Sequence, residues 1–220
     1  RNLRVRNSTL GDWMIVMIFG EDQKEDIEFL MSALKDKFTQ LTSIYYVVNK
    51  KFNDTINDLD LILYHGEPTI TERLGHINYK VGPKSFFQTN TKQAELLYNQ
   101  IVKIADLKGD EVVYDLYTGL GSIALYIADK CKKVVGIEEI KEAIDDARFN
   151  QTLNNIDNAA FSVGDVKQLF NEEFVNEHGP AQLIIVDPPR PGLHGDVVEM
   201  LNRTGVEKIL YVSCNPSTQA

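Results

Sequence analysis

Asp115-Leu116-Tyr117-Thr118-Gly119-Leu120-Gly121-Ser122 is the stretch on which the fold turns. It closes a short apolar run, residues 112–116, and opens a helical pattern over residues 122–130. Glycines at such a turn let the backbone approach a ligand closely, and the following helix N-terminus offers N–H groups to a carboxylate or phosphate. Downstream the alternation continues. Apolar runs at residues 134–137, 160–163, 183–186 and 209–212 are separated by helical patterns over 141–150, 166–174 and 196–203. Runs that are apolar on both faces fit a parallel sheet covered by helices, hence a doubly wound α/β domain. Right-handed crossovers then place the loop after each strand along one edge of the sheet.

Upstream the pattern differs. Residues 3–8 and 13–19 read as two strands joined at Leu10-Gly11-Asp12, and the acidic run Glu21 to Asp26 opens a helix with Ile27, Leu30, Met31, Leu34 and Phe38 on one face. Four further strands follow at residues 43–49, 60–64, 69–74 and 76–81. A small α+β domain at residues 1–90 and a larger α/β domain at 91–220 are therefore expected. Ser85-Phe86-Phe87-Gln88-Thr89-Asn90 bridges them, and Asn90 or Thr91 caps a helix carrying Ala94, Leu97, Tyr98, Ile101 and Ala105 on one face.

Composition bounds the function. The 220 residues are 43% hydrophobic and 25% charged, as expected of ordinary globular material. Two cysteines, Cys131 and Cys214, cannot build a disulfide framework or a four-cysteine metal site within this chain. No apolar run approaches the roughly 20 residues of a membrane helix, and no signal-peptide pattern follows Arg1, so a cytoplasmic protein is expected. The net charge of -9 argues against a broad non-specific nucleic-acid surface while leaving room for a local basic patch. His65, His76, His178 and His194 show no metal-ligand spacing.

The glycine loop has two readings. Gly119 to Ala124 fits the dinucleotide pattern, with Glu138 near the distance expected of a ribose partner. Asp115, four residues before the first glycine, favours a methyl-donor site instead. S-adenosylmethionine has an amino-acid tail whose ammonium needs carboxylate or carbonyl partners, and it has no pyrophosphate to cradle. Glu138 then takes the ribose hydroxyls and Asp165, after the third strand of this domain, the adenine amino group. Gly119 and Ser122 belong to the same loop. The fourth strand ends in Asp187-Pro188-Pro189-Arg190-Pro191-Gly192, where the prolines stiffen the chain behind a carboxylate. The fifth ends in Tyr211-Val212-Ser213-Cys214-Asn215-Pro216, a thiol placed where strand gives way to turn.

Residues 85–90, 115–121, 187–193 and 211–216, in this order, resemble the RNA uracil-5-methyltransferase family, which makes 5-methyluridine in bacterial ribosomal and transfer RNA. The resemblance implies a class I S-adenosylmethionine-dependent methyltransferase fold, a Rossmann-like doubly wound sheet after a small α+β domain. It implies that Gln88, Tyr117, Glu138 and Asp187 contact S-adenosylmethionine or the reacting centre, that Phe86 stacks on the target uracil, and that Cys214 is the nucleophile. RNA is the implied partner, with ribosomal RNA favoured over transfer RNA. Thr118 and Ser122 stand where family members often have Cys and Asn. The family's proton-abstracting glutamate, its last sheet strands and its N-terminal β-barrel find no counterpart in residues 1–220, so the chain is expected to be a fragment. A non-catalytic RNA-binding module and a nicotinamide-dependent dehydrogenase are the rival readings.

Overall fold

Turn chemistry at Ser8 sets the first pairing. Its hydroxyl accepts the N–H groups of Leu10 and Asp12, folding β1 (Asn2–Asn7) back antiparallel on β2 (Trp13–Phe19), with Leu3 opposite Met17. The structure, a computed structural model, describes residues 2–213. α1 (Lys24–Lys37) crosses over to β3 (Ser43–Val48), which lies parallel to β2, and β4 (Ile62–Gly66) returns antiparallel to give the order β1-β2-β3-β4. α1 buries Ile27 and Met31 in a cluster with Ile15 and Ile44, whereas Leu30 and Phe38 are more than a third exposed. The buried seam is thus narrower than the apolar stripe in the sequence. β5 (Ile70–Leu74) and β6 (Ile77–Val81) make a two-stranded sheet. The chain divides into two compact units, one running to Arg73 and including Tyr79–Phe86, the other comprising Leu74–Asn78 and the residues from Phe87 onward.

In the second unit α2 (Thr91–Ala105) starts at Asn90, whose side chain accepts the Gln93 N–H at 3.1 Å. β7 (Val112–Leu116) leads through the glycine loop into α3 (Ser122–Ile127), which tightens into a 3-10 turn at Ala128–Lys130. β8 (Lys133–Glu138), α4 (Lys141–Leu153) and β9 (Ala159–Val163) extend the sheet to one side. After α5 (Val166–Leu169) and α6 (Glu172–His178) the chain crosses to the other side of β7, laying down β10 (Leu183–Val186), α7 (Gly195–Thr204) and β11 (Lys208–Tyr211). All five strands are parallel in the order β11-β10-β7-β8-β9, so the direction of winding reverses between β7 and β10. Such a switch point is where open α/β sheets bind ligands.

One expected element is two. The helix expected over residues 166–174 breaks at Phe170, and Asn171 caps a new helix by accepting the Phe174 N–H at 3.0 Å. The break turns both phenylalanines onto Tyr114, whose ring meets them edge-on at centroid distances of 6.2 and 5.5 Å. Burial of that aromatic cluster, worth roughly 1.5–3 kcal/mol per side chain, outweighs the few helical hydrogen bonds given up.

Candidate active site

The parallel register aligns the strand ends. Leu116 lies beside Ile137 and Val186, Glu138 beside Val163, and Val186 beside Tyr211. Asp115, Glu138, Asp165 and Asp187 therefore sit at or just beyond the tips of neighbouring strands along one edge. The Asp187 N–H donates to the Leu116 carbonyl at 3.3 Å, and Val212 N–H to that of Val186 at 2.8 Å, extending the ladder past β10 and β11 on that edge.

Asp115 is fully buried. Its Oδ2 accepts the Thr118 hydroxyl at 2.6 Å and the Ala124 N–H at 3.1 Å. Its Oδ1 is buried with no hydrogen-bond partner. Burial pushes this carboxyl up to about 7, against the opposing Thr118 bond and with help from the charge of Asp187. The Ala124 N–H, in the first turn of α3, is thus taken up by Asp115.

The loop between them is held in shape from both sides. Tyr117, Gly119 and Gly121 all have positive φ, at 68°, 57° and 80°. For Tyr117 that conformation costs about 1–2 kcal/mol, a strain retained only where the surroundings enforce it. A Cβ on Gly121 would come within 3.0 Å of the Phe161 ring, whereas one on Gly119 would meet nothing. Glu138 pins the loop from β8. Its Oε2 accepts the Gly119 N–H and its Oε1 the Ile140 N–H, each at 3.1 Å. Asp165 accepts the Lys167 N–H at 2.9 Å and so caps α5. Asp187 is half-buried, and burial raises its carboxyl to about 6. Behind it the Gly192 N–H donates to the Pro189 carbonyl at 2.9 Å, closing a turn that leaves Arg190 exposed.

The aromatic pair splits. Phe87 is buried at 9% exposure, while Phe86 is 76% exposed. Phe86 closes the first unit, Phe87 opens the main segment of the second, and Gln88, half-buried, precedes the Asn90 cap. Cys214 lies outside the described residues. The other cysteine, Cys131, is inert by its surroundings, since burial pushes its thiol up to about 11. His194 caps α7 by accepting the Asp196 N–H at 3.2 Å, which gives that histidine a structural role. Among the described residues no group of three or more His, Cys, Asp or Glu side chains could hold a metal ion, and no helix is long and apolar enough to cross a membrane.

Two contributors escaped the sequence reading. Thr118 stood out only as a departure from the family pattern, yet its hydroxyl holds Asp115. Tyr98, read as one of the apolar positions of α2, is 2% exposed and donates its hydroxyl to Ser122 Oγ at 2.8 Å. A tyrosine on a helix face otherwise built from aliphatic residues was the available signal, because a buried phenol needs a partner.

Sheet order, switch point and acidic strand tips define a Rossmann-like class I S-adenosylmethionine-dependent methyltransferase fold. The model of the tRNA (uracil-5-)-methyltransferase family matches residues 8–220, and the chain belongs to that family. It is 44% identical over its whole length to a Porphyromonas gingivalis protein called an uncharacterized RNA methyltransferase, covering 47% of it. A Bacteroides thetaiotaomicron protein of the same description is also 44% identical and is covered to 49%. The chain thus spans about half the length of these relatives. Among solved structures, the tRNA (uracil-54, C5)-methyltransferase of Pyrococcus abyssi in complex with S-adenosyl-L-homocysteine matches with a TM-score of 0.80 and 32% identity, over 98% of this chain and 50% of that one. The tRNA m1G37 methyltransferase of M. jannaschii, 13% identical at a TM-score of 0.54 over 91% of this chain and 56% of that one, shares the fold alone.

Proposed function

We propose that this chain carries the methyl-donor site and the nucleophile of an RNA (uracil-5-)-methyltransferase that uses S-adenosylmethionine, with ribosomal RNA as its target. The observation that carries the donor assignment is Asp115, a buried carboxylate with one unpartnered oxygen at the switch point of the sheet. With Glu138, Asp165 and Asp187 along the same edge, the surroundings suit a ligand bearing positive charge and oppose a pyrophosphate. That disfavours the dehydrogenase reading, which shares the glycine loop and Glu138 but leaves Asp115 and Asp187 unexplained.

S-adenosylmethionine, when bound, supplies an electrophilic methyl group on a sulfonium. In this reading Asp115 and the loop it braces receive the amino-acid end, together with Gln88, Tyr117, Gly119 and Ser122. Glu138 holds the ribose hydroxyls and Asp165 the adenine amino group. Uracil C5 is a poor nucleophile until a group adds at C6. The Cys214 thiolate therefore adds to C6, and negative charge develops at C5 and O4. Asp187, its carboxyl raised to about 6, donates a hydrogen bond to O4 in its protonated form as that charge grows. Removal of the C5 proton by a base then allows Cys214 to leave. A uridine must leave its stack to reach such a site, and the exposed ring of Phe86 is proposed to stack on it.

The similarity to the P. abyssi enzyme makes transfer RNA the competing target. Calorimetric titration of S-adenosylhomocysteine and of NADH into the protein tests the donor assignment, with binding of the first alone expected. Mapping of 5-methyluridine in ribosomal and transfer RNA from cells lacking the full-length protein identifies the substrate. Loss at a ribosomal position is expected, and loss confined to transfer RNA would transfer the assignment.

A further inference from the structure

The hydroxyl of Tyr98 has no part in the chemistry above, yet it is a buried group that reaches from α2 to the first residue of α3. Its ring is 2% exposed and packs edge-on against Tyr126 at a centroid distance of 5.4 Å. Tyr126 is fastened in turn to α2, donating its own hydroxyl to Asn99 Oδ1 at 2.9 Å. The Tyr98 hydroxyl donates to Ser122 Oγ at 2.8 Å, directly after the Gly121 turn. On its far side that turn packs against Phe161 and Ala147, so Gly121 and Ser122 are fixed from two directions.

We propose that Tyr98 is a positioning residue for the methyl-donor loop, acting on the donor through Ser122. The inference rests on the donor-site reading given above. Burial foremost, with the Asp187 and Asp115 charges, raises the phenol well above its ordinary value, so it remains a proton donor at every working pH. The Ser122 hydroxyl, at the first position of α3, is thereby restrained from α2. The bond joins two helices that flank β7, and thereby couples the donor loop to the helix that follows Gln88.

The test uses the full-length protein and S-adenosylhomocysteine as the probe. Tyr98→Phe keeps the ring and its edge contact, Ser122→Ala removes the acceptor, and Tyr126→Phe is the control for losing a neighbouring buried hydroxyl. Calorimetry is expected to give a Kd about fivefold weaker for Tyr98→Phe and for Ser122→Ala, the double variant no weaker than Ser122→Ala alone, and Tyr126→Phe within twofold of the parent. The KM for the donor should rise in Tyr98→Phe by more than kcat falls. Unchanged donor affinity in Tyr98→Phe, additive losses in the double variant, or an equal loss in Tyr126→Phe would each overturn the inference. Failure of the unaltered protein to bind S-adenosylhomocysteine would instead overturn the donor-site reading on which it rests.

Discussion

The Thr118 hydroxyl donates to Asp115 Oδ2 at 2.6 Å, while the other oxygen of the same carboxylate is buried without a partner. One half of the side chain is structural, bracing the glycine loop with the help of the Ala124 N–H. The other half is an uncompensated acceptor of the kind that native proteins rarely retain unless a ligand or a proton satisfies it.

Donor binding should therefore be linked to proton release. Burial pushes the Asp115 carboxyl up to about 7, and a neighbouring cation favours its ionised form. Affinity for S-adenosylhomocysteine, whose ammonium is positive throughout this range, should rise about tenfold from pH 6 to pH 8 and then level off. Calorimetry in two buffers of different ionisation enthalpy would detect the released proton. The dependence should flatten in Asp115→Asn, and a pH-independent Kd in the parent protein would count against the assignment.

Stability carries the same signature with a defined sign. The folded value of Asp115, about 7, lies above its ordinary value of 3.8, so between these pH values the folded state holds a proton that the unfolded chain has released. Stability is lost as pH rises through that window, and Asp187, raised to about 6, acts in the same direction. Asp115→Asn removes the larger contribution, offset in part by an amide left unpartnered. Relative to the parent, the variant should gain about 4 kcal/mol in urea unfolding on going from pH 4 to pH 8, because the cost of the unpartnered amide does not change with pH and cancels in this comparison. No relative gain, or a relative loss, would contradict the burial-driven shift.

The two loop glycines should differ in their tolerance of alanine. Both have positive φ, which costs an L-residue roughly 1 kcal/mol, but only at Gly121 does the new methyl meet the Phe161 ring and Ala147. Gly119→Ala should lose about 1 kcal/mol and Gly121→Ala about 2–4 kcal/mol, read from denaturation midpoints at constant slope. Equal losses would mean that Phe161 yields to the added methyl.

Much of this architecture is legible in the sequence, for reasons that can be named. Buried parallel strands are apolar on both faces, so β7, β8, β9, β10 and β11 stand out as runs, and glycines at positive φ mark the turn after β7. The order of the acidic tips follows from the register of those strands. Local pattern does not reveal what depends on side-chain partners distant in sequence. The break at Phe170 is set by Tyr114, the Tyr98 hydroxyl is satisfied 24 residues away, and the Asp115 carboxylate folds back onto its own loop. Likewise, the sequence shows two adjacent phenylalanines without indicating that Phe87 is buried and Phe86 exposed.

The central claim is that Cys214 adds to uracil C6 so that C5 can be methylated. With 5-fluorouridine in the RNA, the C5 position has no proton to release, and the methylated adduct cannot break down. Full-length protein incubated with fluorinated ribosomal RNA and S-adenosylmethionine should give a protein–RNA species that survives denaturing electrophoresis, carries the methyl group on the modified base by mass spectrometry, and disappears in Cys214→Ala. Methyl transfer to RNA with no such adduct, or an adduct undiminished in Cys214→Ala, would contradict it.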